Sequence, residues 1–149
     1  MPTSQVFTEI PHEELKDKVR EMLEQKLRLS HITCTKTPGG FEITYCFARD
    51  DDYSLTNLRL HISDDTEIES VSDLYAYSFV YENELKDLFG VKINNISLDF
   101  NGNFYRLALK TPYNPQKDEP APELNLELHE RAEEIAASVK TVEGQALSN

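Results

Sequence analysis

The amino-acid sequence predicts an α+β fold, in which an antiparallel sheet has an N-terminal helix and a second helix packed on it. Three observations lead to this prediction. The hydrophobic spacing is helical near the N-terminus, alternates over residues 31–63, and becomes helical again over residues 65–90. A group of strands between two helices is typical of an antiparallel sheet covered by helices. The 149 residues suffice for one domain with its own core.

The first predicted helix spans residues 11–29. Its apolar residues recur at spacings of three and four and form one stripe: Leu15, Val19, Met22, Leu23 and Leu27. Pro11 suits the first turn of a helix. Glu13 and Glu14 then lie near the positive end of the helix dipole, where acidic side chains are stabilising.

Residues 31–63 predict a three-stranded antiparallel meander with one buried face. Apolar and polar side chains alternate along the second and third strands, with Phe41, Ile43, Tyr45, Phe47, Leu58, Leu60 and Ile62 on the buried face. Glycine and proline at 38–40 predict one turn, and three aspartates at 50–52 predict the other.

The second predicted helix lies within residues 65–90 and ends at Gly90, a residue that favours the left-handed conformation of a helix C-terminus. Its stripe consists of Leu74, Tyr77, Tyr81, Leu85 and Leu88. Residues 91–109 are predicted to be extended, with a hairpin turn at Asn101-Gly102. That hairpin would place Ile96, Leu98 and Phe100 on the same face as Tyr105 and Leu107.

Composition divides the chain into a folded domain, residues 1–113, and a C-terminal region, residues 114–149. Prolines at 112, 115, 120 and 122 lie in polar surroundings and predict a stiff linker. The acidic segment beyond it has a narrow helical stripe of Leu124, Leu128, Ile135 and Val139. This stripe offers too little apolar surface for a stable isolated helix, so we expect an extended tail that becomes helical on a partner.

The charge of the chain argues against nucleic-acid binding. The 27 acidic and 15 basic residues give a net charge of −12, which repels phosphate groups. The sequence contains no run of eighteen apolar residues, and its first residues lack the basic start and apolar core of a signal peptide. A cytoplasmic location is therefore expected, and two cysteines fit a reducing compartment.

No metal or cofactor site is predicted in this chain. If Gly39-Gly40 were the turn, Cys34 would lie opposite Tyr45, and Cys46 would point to the other face near Thr33. Thiols on opposite faces of a sheet cannot share one ion. Phosphate-binding glycine motifs are absent, and an iron–sulfur cluster usually needs four ligands.

Three acids, Glu82, Glu84 and Asp87, share the second predicted helix. Glu84 and Asp87 are three residues apart and therefore lie on one face of it. Paired carboxylates can perform acid–base chemistry, so a free-standing hydrolase is one hypothesis. A solvated acidic face explains the same pattern and is the more common structure.

Residues 81–91, hereafter the signature segment, provide a more specific indication. The segment resembles the signature of the "30-kilodalton" subunit family of respiratory complex I, in which E-R-E is followed by an aliphatic residue, any residue, D, any residue, an aromatic, G and an aliphatic. The matching positions are Glu82, Glu84, Leu85, Asp87, Phe89, Gly90 and Val91. The resemblance extends over roughly residues 10–113.

Two departures from the pattern point to one branch of that family. Asn83 stands where complex I has arginine, and the chain lacks the H-P-D-L-R-R stretch that follows in the respiratory enzyme. Both features resemble the corresponding subunit of energy-converting, membrane-bound [NiFe] hydrogenases of the Ech type.

The resemblance implies a non-catalytic structural subunit of an oxidoreductase complex, peripheral on the cytoplasmic face of the cell membrane. It implies docking on the [NiFe] large subunit, with a small iron–sulfur subunit and a ferredoxin-like subunit nearby and the membrane arm in indirect contact. The [NiFe] centre and the iron–sulfur clusters would belong to those partners, in a complex that couples electron transport to ion translocation. The expected partner interface is Tyr81, Glu82, Asn83, Glu84, Asp87, Phe89 and Gly90. The equivalent subunit of NADH-quinone oxidoreductase or formate hydrogenlyase remains an alternative.

Overall fold

The computed structural model describes residues 4–115, and these residues form the predicted α+β fold. Within this range, six strands and two α-helices occur in chain order: β1 (Gln5–Glu9), α1 (Leu15–Glu24), β2 (Arg28–Thr37), β3 (Gly40–Ala48), β4 (Leu55–Ser63), β5 (Glu67–Glu69), α2 (Ser78–Phe89) and β6 (Lys92–Asn94). A 3₁₀ turn, His12–Glu14, leads into α1. The predicted helix in the C-terminal tail lies outside the described residues. Within residues 4–115, no helix is long and apolar enough to cross a membrane.

The main sheet has the strand order β1-β4-β3-β2. Strands β2, β3 and β4 form the predicted antiparallel meander. Strand β1 pairs in parallel with the outer edge of β4, and sequence patterns did not predict it. All five of its residues are exposed, so burial imposes no recognisable apolar pattern on this short strand.

The turn between β2 and β3 is one residue earlier than predicted. Thr37 pairs with Gly40, and Gly39 takes the positive φ of the turn. Gly40 is instead part of β3, where an added Cβ atom would lie 1.9 Å from the carbonyl oxygen of Ile62 on β4. This register places Cys34 opposite Ile43 rather than Tyr45.

The core lies between one face of the main sheet and the two helices. Leu15, Val19 and Met22 of α1 are buried against it, as predicted, whereas Leu23 of the same predicted stripe is exposed. Helix α1 ends at Glu24, earlier than the predicted boundary at 29. The chain turns sharply at Lys26, whose φ is +60°, and β2 begins at Arg28.

The prediction for residues 65–90 was right about a helix but too long at its start. Residues 67–69 form β5, which pairs in parallel with β6, and α2 begins only at Ser78. Ile68 and Val71 are buried in the core although they lie outside any helix. Of the two predicted stripe residues before Ser78, Leu74 packs against the core, whereas Tyr77 is exposed.

The predicted hairpin about Asn101-Gly102 is wrong. Both residues have positive φ, as a tight two-residue turn requires, but strand β6 ends at Asn94 and residues 95–115 contain no strand. Side chains of α2 hold this part of the chain in place of strand pairing, and these side chains belong to the candidate site.

Candidate protein-docking site

One side of helix α2 fixes it to the main sheet. Leu85 is buried in the core, and the ring of Phe89 packs edge-on against Phe41 of β3 with centroids 6.4 Å apart. Gly90 ends the helix with φ +75°, as predicted, and its N–H bonds to the carbonyl of Lys86. An added Cβ at Gly90 would lie 3.0 Å from a methyl group of Thr111.

Three tyrosine hydroxyls join α2 and the turn before it to the edge of β2. Tyr75, Tyr77 and Tyr81 donate to carbonyl oxygens of consecutive parts of that edge, at Leu27 (2.7 Å), Leu29 (2.8 Å) and Ser30 (3.1 Å). An edge strand presents unpaired backbone groups to other chains. These hydroxyls occupy acceptors just before and at the start of β2, and they fix the position of α2 along this strand.

Glu82 is fully buried and bound within the chain. Its Oε1 accepts from the N–H of Val71 at 2.8 Å, and its Oε2 accepts from the hydroxyl of Ser70 at 2.6 Å. The Ser70 hydroxyl contacts that of Ser72 at 2.7 Å, which in turn accepts from the N–H of Ser97 at 2.8 Å. Burial raises the pKa of Glu82, although these bonds oppose the shift.

Asn83, also fully buried, satisfies the backbone of the segment that follows β6. Its Nδ2 donates to the carbonyls of Phe79 (2.7 Å) and Leu98 (2.8 Å), and its Oδ1 accepts from the N–H of Phe100 at 2.9 Å. The side chain therefore acts at once as donor and acceptor for residues 98–100. An arginine could not accept the Phe100 N–H, because a guanidinium has no acceptor atom.

Glu84 and Asp87, the pair considered for acid–base chemistry, both bind Tyr105. The Tyr105 hydroxyl donates to Glu84 at 3.0 Å, and its backbone N–H donates to Oδ2 of Asp87 at 2.7 Å. Asp87 is 4% exposed, and its Oδ1 has no partner among residues 4–115. Lys86 adds an ion pair to Asp99 at 2.5 Å.

Asn83, Glu84 and Asp87 thus hold residues 98–105 against α2. Glu82 instead binds Ser70 and Val71, and it is linked to Ser97 only through the hydroxyls of Ser70 and Ser72. Glu82, Asn83 and Asp87 are buried within the chain, and Glu84 remains partly exposed. Their direct contact with a partner stays a prediction. Sequence reasoning placed Tyr105 in the predicted hairpin and did not connect Tyr105 or Asp99 with α2, since nothing in residue spacing shows which distant groups a helix will bind.

The 98–113 segment presents a concentration of apolar side chains. Within residues 4–115, twelve large hydrophobic side chains are exposed, and half of them lie in this segment: Leu98, Phe100, Tyr105, Leu107, Leu109 and Tyr113. Part of the segment borders a groove of about 320 Å³ beside Asp87. A surface of this kind is typical of protein–protein contacts rather than of a freely solvated loop.

The two cysteines do not approach each other. Cys34 faces the core beside Ile43, whereas Cys46 pairs with His31 at a position that points to the other face of the sheet. Burial raises the pKa of the Cys34 thiol to about 12 and also raises the pKa of Cys46, which disfavours the thiolate form that binds metals. In the described part of the chain, no three or more His, Cys, Asp or Glu side chains form a metal-binding group.

The fold and the helix-held segment define a class of protein, a small α+β chain with an apolar surface segment fixed on one of its helices. A family model described as "Respiratory-chain NADH dehydrogenase, 30 Kd subunit" matches residues 8–118. The chain belongs to this family, whose members are subunits of respiratory complexes, and the family-level resemblance of the signature segment is confirmed.

Among solved structures, the fold is similar to a chain of the membrane-bound sulfane sulfur reductase (MBS), an archaeal respiratory membrane complex. The TM-score is 0.58 at 22% sequence identity, and the similarity covers 62% of this chain and 58% of that chain. The protein therefore matches little more than half of that chain's length. No curated protein matches the sequence.

Proposed function

We propose that this protein is a non-catalytic structural subunit of a membrane-bound, ferredoxin-linked, energy-converting [NiFe] hydrogenase, docked on the catalytic large subunit at the cytoplasmic face. The observation that carries the proposal is that the polar signature residues are bonded within the chain itself. Glu82, Asn83 and Asp87 are buried and bonded to the chain's own backbone, which is the expected arrangement for side chains that shape a surface.

The hydrolase alternative receives less support from this arrangement. A general acid or base must reach the proton of a substrate. Asp87 is almost fully covered and already accepts a backbone N–H, while Glu84 accepts the hydroxyl of the same tyrosine. The two carboxylates together position Tyr105, and a structural role accounts for both.

The hydrogenase branch is supported by the way Asn83 holds residues 98–100. The asparagine amide matches one backbone carbonyl and one backbone N–H of this segment, and an arginine could match only the carbonyl. The asparagine at 83 and the sequence at 95–100 are therefore matched to each other. Both differ from the corresponding positions of the quinone-reducing enzyme.

Under this proposal the cofactors lie in the partners. The large subunit would carry the [NiFe] centre, and the small subunit and the ferredoxin-like subunit would carry the iron–sulfur clusters. The same scaffold could serve an NADH-quinone oxidoreductase, a formate hydrogenlyase, or a sulfane sulfur reductase like that of the structural neighbour.

The test is the composition of the complex. The chain would be tagged at its native locus, purified from detergent-solubilised membranes, and examined by mass spectrometry and elemental analysis. We expect a large subunit with two paired C-x-x-C motifs, and nickel in proportion to the chain. A large subunit that lacks these cysteines, in a complex without nickel, would refute the hydrogenase assignment and favour the quinone- or sulfur-linked alternatives.

A further inference from the structure

The 98–113 segment is an ordered surface despite its lack of regular secondary structure. Asn83 holds its first residues, Asp87 holds Tyr105, and near its end the N–H of Tyr113 donates to the carbonyl of Leu88 at 2.9 Å. Just beyond it, the amide of Asn114 donates to the carbonyl of Phe89 at 3.0 Å. Each of these contacts joins the segment to α2, so the backbone that carries the exposed side chains is held in place. A surface that is already ordered loses less conformational entropy when a partner binds.

Apolar side chains of this segment border the groove beside α2. Tyr105, Leu107 and Leu109 line it together with the basic residues Arg106 and Lys110. Asp87 also lines the groove, but its carboxylate is almost fully covered and is bound to the Tyr105 N–H. Apart from the neutral polar side chains of Asn103 and Thr111, the accessible part of the lining is therefore apolar and basic.

The charge of the segment differs in sign from that of the chain. The 98–113 segment contains two basic residues, Arg106 and Lys110, and one acid, Asp99, which pairs with Lys86 of α2, whereas the whole chain has a net charge of −12. Arg106 and Lys110 are exposed and form no ion pair within residues 4–115. Among the described residues, neither cation is therefore bound to a carboxylate.

The geometry points to the 98–113 segment and its groove as the docking surface for an acidic, apolar segment of another protein subunit. This inference rests on the proposed function, under which that subunit is the catalytic large subunit. Arg106 and Lys110 would meet carboxylates of the partner, and Leu107 and Leu109 would be covered by its apolar side chains. An anionic lipid surface has similar chemistry, but the net charge of −12 opposes stable membrane adsorption.

Charge reversal tests the basic half of this surface. Binding of the purified chain to the isolated large subunit would be followed by biolayer interferometry at low and moderate salt. Arg106→Glu combined with Lys110→Glu should lower the association rate about tenfold or more and weaken its salt dependence. The matched control, Lys18→Glu with Arg20→Glu on α1, changes the net charge equally and should alter the rate less than about twofold.

Replacing an apolar side chain with a smaller polar one tests the apolar half of this surface. Leu109→Ser should raise the dissociation rate about tenfold, because interface substitutions act mainly on dissociation. Leu23→Ser, at an exposed leucine of α1, should leave the rate unchanged. All four variants change side chains at the surface, and the melting temperature of each is measured first. Only the α1 charge reversal, which removes the ion pairs of Lys18 with Glu21 and of Arg20 with Asp17, should melt measurably below wild type.

The outcomes separate this inference from the proposed function. If wild type binds the large subunit and both 98–113 variants bind as their controls do, the surface is wrong and the scaffold role stands. If wild type instead sediments with vesicles of equal parts phosphatidylglycerol and phosphatidylcholine, and the charge reversal abolishes this, the surface binds lipid and the inference fails. A wild-type chain that binds no large subunit in the same assay overturns the proposed function itself.

Discussion

Replacing Asn83 with alanine removes the link between α2 and the start of the 98–113 segment. The change eliminates the donor to the carbonyl of Leu98 and the acceptor for the N–H of Phe100. The third bond, to the carbonyl of Phe79, lies within the helix. The perturbation is therefore directed at residues 98–100, and alanine is well tolerated in a helix.

The expected loss follows from the two bonds that join separate segments. A neutral hydrogen bond contributes about 0.5–1.5 kcal/mol net, so the pair contributes about 1–3 kcal/mol to holding the segment on α2. A tenfold change in an equilibrium corresponds to about 1.4 kcal/mol. Opening of the segment should therefore become about 5- to 140-fold more frequent, while the main sheet, to which Asn83 makes no hydrogen bond, should stay folded.

Hydrogen exchange resolved to single amides measures this directly. Protection at Phe100 and Tyr105 should fall by that factor in Asn83→Ala, while protection at Ile43 in β3 should change much less. Asn94→Ala is the control, since Asn94 is exposed and its side chain bonds only to the Glu67 side chain. Unchanged protection at Phe100 in the Asn83 variant would refute the idea that this side chain holds the segment.

Three further predictions concern the same helix. Because burial raises the pKa of Glu82 in the folded state, the native carboxyl favours the protonated form, and its stabilising contribution is lost as pH rises above the ordinary value of 4.5. Urea unfolding should therefore show Glu82→Gln gaining stability relative to wild type as pH rises through this range, and a constant difference would contradict the assignment. Gly90→Ala should lower the free energy of unfolding by more than the roughly 1 kcal/mol expected for Gly102→Ala, because both residues have positive φ but only Gly90 has a neighbour at 3.0 Å. Equal losses in the two glycine variants would show that this contact is unimportant. Leu85→Asp places a charge in the core and should abolish cooperative unfolding in circular dichroism, whereas a wild-type melting curve would disprove the packing of α2 described here.

The sequence was most informative where a regular pattern met a buried face. The alternation at Phe41, Ile43 and Tyr45 predicts β3, and the spacing of Leu15, Val19 and Met22 predicts α1, because one side of each element is covered by the core. Gly90 was predictable as a helix end for a local reason, since a glycine tolerates positive φ where other residues are strained.

Prediction failed where contacts distant in sequence decide the structure. Asn101-Gly102 forms its tight turn, yet no hairpin follows, because Asn83 and Asp87 bind the backbone on either side of it. Local propensity cannot reveal this competition. Strand β1 was missed for the opposite reason, since its exposed residues leave no apolar pattern to recognise.

The candidate site was half predictable. Residue spacing located the helix and its acids, and the family signature indicated that these acids matter for the family. Neither showed that Glu82 and Asp87 face inward. Burial of a carboxylate depends on partners such as the hydroxyl of Ser70 and the N–H of Tyr105, which lie 12 and 18 residues away. For the same reason, a charge reversal at Asp87 should destabilise the domain itself, and Glu84 is the better position for a change that leaves the fold intact.

The central claim is that the carboxylates of the signature segment shape a surface and take no part in chemistry. Turnover per assembled complex in a chain with Glu84→Gln and Asp87→Asn tests it most directly. Both substitutions remove the acid function but keep an oxygen that can accept from Tyr105. We predict that the purified complex keeps the wild-type subunit stoichiometry and a turnover within about twofold of wild type. Loss of a general acid or base typically costs about 10²–10⁴-fold in rate, so a fall of that size in a fully assembled complex would contradict the claim.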